Sequence, residues 1–137
     1  MKTKLSHLFA VFAMILALHL FAVFAKLYNG STIWIDIPQH LLAGVFLSMI
    51  FVYVAKKNKY FSSDPSSFLF MFSVVSFALL GSFAWEIIEF LFWKFLPHFA
   101  EKLKWYSPDI LDALSDMAAG LLGGVAFAVV SRTKKEK

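Results

Sequence analysis

The chain has no cysteine, which excludes disulfides and thiolate metal sites together. It is also poor in charge: Asp, Glu, Lys and Arg make up 16% of its 137 residues. The formal net charge of +4 does not indicate nucleic acid, because the basic residues lie in short runs beside apolar stretches and form no polar face. No internal repeat is present, and the only biased tail is the basic end SRTKKEK. Proline is confined to four positions. Pro65, Pro97 and Pro108 fall in gaps between apolar segments. Pro38 opens one of those segments, where a missing N–H costs nothing.

What fills the chain instead is hydrocarbon. Hydrophobic residues reach 60%, with 17 phenylalanines and a mean hydropathy of +0.72. Globular chains are roughly 45–50% apolar, so the excess needs a home other than a soluble core. Four segments have the ~20 apolar residues that span a bilayer core of ~30 Å. They run from about Leu5 to Leu27, Pro38 to Ala55, Phe68 to Phe95 and Ile110 to Val130. The expected fold is all-α, a polytopic four-transmembrane-helix bundle formed by one domain over residues 1–137. The first segment also has features of a signal peptide, with Lys2 and Lys4 ahead of it and Val23-Phe24-Ala25 behind. Its apolar run exceeds the usual ~7–15 residues, which favours a retained helix.

Lysine and arginine set the expected orientation. Nine lie at one set of ends (Lys2, Lys4, Lys56, Lys57, Lys59, Arg132, Lys134, Lys135, Lys137) and four at the other (Lys26, Lys94, Lys102, Lys104). The positive-inside rule then puts both termini in the cytoplasm of a multi-pass cell-membrane protein. Trp34, Trp93, Trp105, Tyr28 and Tyr106 mark the outer interface.

The acids break this pattern. Seven of nine fall toward the outer ends: Asp36, Glu86, Glu89, Glu101, Asp109, Asp112 and Asp116. Glu86 and Glu89 share a helix face at i, i+3, and so do Asp109, Asp112 and Asp116 at i, i+3, i+7. His40, Gly44 and Ser48 form one stripe of the second helix. Gly120 and Gly124 continue the Asp116 stripe, and small residues at that spacing allow close helix approach. The acids should therefore point into the bundle, with Gly44, Gly120 and Gly124 as packing positions.

A charge deep in a membrane costs at least ~2.5–3.5 kcal/mol, and no Lys or Arg lies within these stretches to offset it. The acids must share protons, open to water or bind a cation. Carboxylates with one imidazole suit Zn²⁺, Mg²⁺, Mn²⁺, Ca²⁺ or iron. The Glu-x-x-His pattern of dimetal bundles is absent. The expected ligands are His40, Glu89, Asp112 and Asp116, with Asp109 as an additional one and Glu86 as a general base. Duller roles compete: Asp109 suits a helix cap, Asp112 a first-turn acid, Asp36 a loop anchor and His19 a hydrogen-bonded packing residue.

GSFAWEIIEFLFW, followed by SPDILDALSDMAAGLLGG, resembles the YjdF-like family of small prokaryotic integral membrane proteins, and PQHLLAG matches that family's earlier His-x-x-x-Gly motif. The likeness covers roughly residues 38 to 125. It implies shared positions at His40, Gly44, Glu86, Glu89, Asp109, Asp112, Asp116, Met117 and Gly120, and it brings no reaction with it. A looser likeness to VanZ-like proteins implies a link to cell-envelope resistance.

The functional expectation is a membrane protein with an outward carboxylate/His site for a divalent cation. Its partners would be the bilayer and a lipid or envelope substrate, turned over by metal-dependent hydrolysis or transfer. The alternatives are a proton or cation transporter, for which a homo-oligomer could supply the missing inner path, and a non-catalytic assembly or resistance factor.

Overall fold

A computed structural model describes residues 4–28, 36–58, 67–104 and 109–133. These residues form five helices: α1 (Leu5–Phe24), α2 (Ile37–Lys57), α3 (Phe68–Phe95), α4 (Pro97–Leu103) and α5 (Ile110–Thr133). Four of them, all but α4, are long and apolar enough to cross a membrane. The protein is an all-α polytopic membrane protein. Trp34, Trp105 and Tyr106, and the basic residues Lys2, Lys59, Lys134, Lys135 and Lys137, lie outside the described residues.

The local chemistry of the helix ends follows ordinary rules. Pro38 sits in the first turn of α2, and Lys56 and Lys57 close its last turn, where cations meet the negative end of the helix dipole. At 28 residues, α3 is about 42 Å long at 1.5 Å per residue. That exceeds the hydrocarbon thickness, so its last turns reach the interface or the helix tilts. Leu96 breaks α3 ahead of Pro97, and α4 starts at that proline. The sequence pattern predicts loop throughout from Pro97 to Pro108. Seven residues of that stretch are helical instead, a run too short to register as hydrophobic periodicity.

α5 is the hub. It packs most extensively on α2 and next on α3, α2 and α3 also pack together, and α1 rests on α2. Apart from an apolar cluster at one end, the inside of this bundle is small or polar, whereas the outside is large and apolar. Gly44, Ser48, Ala78, Ser82, Ala119, Gly120 and Ala128 are buried, while Phe9, Phe21, Phe68 and Leu80 are exposed. Lipid tails are as apolar as Leu, so helices gain by bringing backbones close and leaving bulk to the lipid. At Gly44 and Gly120 the approach is backbone to backbone: a Cβ on Gly44 would run into the Gly120 carbonyl oxygen. Gly124 faces Ala78 of α3, whose Cβ would lie 2.7 Å from one added at Gly124.

The two ends of the bundle differ. Leu8, Met49, Val52, Phe70, Val74, Phe127 and Ala128 form an apolar core at the end opposite α4. At the α4 end, polar side chains enter the interior instead.

Candidate functional site

Asp36 immediately precedes α2 and His40 lies one turn later, so the two share a face at i, i+4. α5 presents Asp116 to that face. The His40 Nε2 and Asp116 Oδ2 atoms are 3.6 Å apart. One ligand atom from each of Asp36, His40 and Asp116 lies within 4.8 Å of the other two. Asp116 is 3% exposed. Its Oδ1 and the Oδ1 of Asp36 are both buried without a hydrogen-bond partner. Buried polar atoms are rarely left so, because each orphan costs about 1–3 kcal/mol. Asp36 stands outside the spans, and its carboxyl is pushed up to about 6, first by burial and then by the charge of Asp112.

The neighbouring acids surround this group without joining it. Asp112 is buried one turn before Asp116. Glu86 lies within electrostatic range of Asp112 and Asp36, and its Oε1 is buried without a partner. Glu89 accepts a hydrogen bond from the Trp85 indole N–H at 2.7 Å, one turn back along α3. Asp109 is exposed, and its Oδ1 accepts the Leu111 N–H at 2.9 Å, as a cap for the start of α5. The fold thus brings together His40 and Asp116 of the expected ligands. Glu89, Asp112 and Asp109 stand outside the three-residue group. Asp36, read in the sequence as a loop anchor, stands inside it. The spacing Asp-Ile-Pro-Gln-His is the sign that could have found it.

A second polar cluster adjoins the first. His19 of α1 places Nε2 3.1 Å from the Leu103 carbonyl oxygen. A carbonyl only accepts, so Nε2 carries a proton. The ring's Nδ1 faces the Tyr28 hydroxyl at 3.2 Å and the Gln39 Oε1 at 3.2 Å. Gln39, buried beside His40 in the chain, donates from Nε2 to the Tyr28 oxygen at 3.0 Å. Burial raises the Tyr28 pKa; its bond with Gln39 lowers it, and the charges of Asp36, Glu89 and Asp116 add to the rise. The two clusters are therefore electrical neighbours.

Away from α4 the site closes at once. One turn beyond Asp116, Gly120 meets Gly44, and a Cβ on Gly120 would meet the Ser82 hydroxyl. Ser82 Oγ donates to Ala78 O at 3.0 Å, and Ser48 Oγ to Gly44 O at 2.8 Å. These hydroxyls are satisfied within their own helices, so nothing polar is left reaching down the bundle from them.

Fold and site together define a polytopic helical membrane protein with a half-buried carboxylate/histidine group near one end. The chain belongs to the family described as predicted membrane protein DUF2238, whose model matches residues 1–137. No curated protein and no solved structure matches it.

Proposed function

We propose that this protein holds one divalent cation between Asp36, His40 and Asp116, at the extracytoplasmic end of a bundle whose termini are cytoplasmic. The observation that carries the reading is the convergence of three ligand atoms, from α5, α2 and the residue just before α2, with buried oxygens of Asp36 and Asp116 lacking partners. The 3.6 Å between His40 and Asp116 is near the ~3.4 Å edge of a tetrahedron whose ligands sit ~2.1 Å from the ion. An imidazole beside two carboxylates suits Zn²⁺ or Mn²⁺ better than Mg²⁺ or Ca²⁺, which prefer oxygen alone. The ion offsets two of the negative charges that the neighbouring helices bring together. The YjdF-like likeness of the α3 and α5 motifs sits within this reading, as the motifs carry the same acids. Titration of the purified chain with Mn²⁺ tests it: saturable binding near one ion per chain, weakened at least tenfold in H40A and D116N, is expected. Absent binding, or equal binding by the variants, refutes it.

A second reading builds on the first: metal-assisted hydrolysis or transfer on a lipid or envelope substrate. The observation favouring it is the unpartnered Oε1 of Glu86, which is not among the three ligand residues. A carboxylate oxygen in that position suits a general base. E86Q should then bind Mn²⁺ as the parent does and lose substrate turnover. Transport through a single chain is less well supported, because the Gly44–Gly120 contact leaves little room for a path.

A further inference from the structure

The first turn of α2 and the residue before it carry two members of the three-residue group, His40 and Asp36. This turn has little to anchor it from within. The Asp36 side chain makes no capping bond, and Pro38 has no N–H to give. The Gln39 and His40 amides both donate to the Asp36 carbonyl, at 2.7 and 3.0 Å, so the backbones at 36, 39 and 40 are coupled. Helix ends fray unless something outside the helix holds them.

The hold comes from the α1 side. Gln39 is buried and stands ~100° around the helix from His40. Its Nε2 donates to the Tyr28 hydroxyl at 3.0 Å. That hydroxyl in turn donates to His19 Nδ1 at 3.2 Å, and His19 Nε2 donates to the Leu103 carbonyl at 3.1 Å. Each donor in the chain meets an acceptor. Turned over, the Gln39 amide would donate to Nδ1, which lies 3.2 Å from its Oε1 position, and accept from Tyr28. Either orientation therefore pins the side chain between the two rings. α1 supplies no member of the three-residue group, yet its His19 braces the turn that supplies two.

We propose that Gln39 is a positioning residue: through its bonds to Tyr28 and His19 it fixes the first turn of α2, and with it the placement of Asp36 and His40 against Asp116. The inference rests on the reading that this group holds a cation, and it adds the residue that sets the group's geometry.

The test uses the full chain in detergent, with hydrogen exchange at the Gln39 and His40 amides and titration with Mn²⁺ followed by electron paramagnetic resonance. Q39L keeps bulk and removes both polar atoms; Y28F keeps the ring and removes the hydroxyl. Each should speed exchange at position 40 and weaken Mn²⁺ roughly five- to tenfold, as loss of one hydrogen bond allows. The double variant should be no weaker than either single one, because both break the same chain. The resonance of the bound ion should also change shape in Q39L. A purely structural role would lower occupancy and leave that shape alone. Exchange over α5 checks folding, and Y28F decides alone if Q39L does not fold. Unchanged exchange at position 40 would show that Gln39 does not hold the turn. Faster exchange with parent-like Mn²⁺ affinity and line shape would show a held turn that positions nothing, and either result overturns the proposal while leaving the cation reading intact. If the parent itself binds no Mn²⁺, the cation reading falls, and exchange alone decides whether Gln39 fixes Asp36 and His40.

Discussion

Asp116 is costly as it stands: nearly fully buried, with one oxygen unpartnered and only a 3.6 Å contact from His40 to the other. Such a residue should cost stability when the site is empty and return it when a cation binds. D116N is therefore expected to raise the thermal midpoint without divalent ions and to abolish the rise that Zn²⁺ or Mn²⁺ gives the parent; paired melts in detergent check this. Asp36 adds a pH signature. Its carboxyl is raised to about 6, so the folded state holds a proton that the unfolded chain, near 3.9, has already lost. That contribution to stability is fully present below about 4 and disappears as pH rises through about 6. Cation binding, which needs the carboxylate, should strengthen across the same window, and D36N should flatten both profiles. His40 and Asp116 were legible in the sequence because an ionisable group set into an apolar helix must be matched by something polar or charged nearby. Asp36 was not, because its place before a proline reads as loop or cap until α5 brings Asp116 beside it.

At the scale of the element, the helices hold together through what they leave out. The Cβ of a Gly44→Ala variant would meet a backbone carbonyl of α5, which cannot step aside without moving the helix. The Cβ of Gly81→Ala would lie 2.6 Å from a Leu47 methyl, the mobile end of a side chain. G44A should cost about 1–3 kcal/mol, the usual range for overpacking, and G81A clearly less, as unfolding in mixed micelles would show. Positions such as Phe68 or Leu80, exposed at 79% and 65%, should tolerate exchange for other apolar residues. The four spans were readable because ~20 apolar residues in a row have one stable fate in lipid. The packing role of Gly44, Gly120 and Gly124 was readable from four-residue spacing, but the partner of each was not, since spacing carries no information about a neighbouring helix. α4 escaped notice for a different reason: it is held by Leu96 and Pro97 at one end and by His19 at the other, not by a periodic apolar face.

For the molecule as a whole, the polar chemistry lies at one end and the apolar core at the other. The absence of cysteine makes its orientation simple to establish. A thiol placed at Glu101 should react with an impermeant maleimide on intact cells, and one placed at Lys57 only after the membrane is opened; the reverse pattern would put the acidic end in the cytoplasm. The central claim is narrower than orientation, namely that an imidazole and carboxylates from α5 and the start of α2 share one ion. X-ray absorption on the Zn²⁺-loaded chain tests it most directly. The account predicts nitrogen and oxygen ligands at about 2.0–2.1 Å, with one imidazole's outer-shell scattering that vanishes in H40A. A spectrum with no imidazole, or one unchanged by H40A, would contradict it.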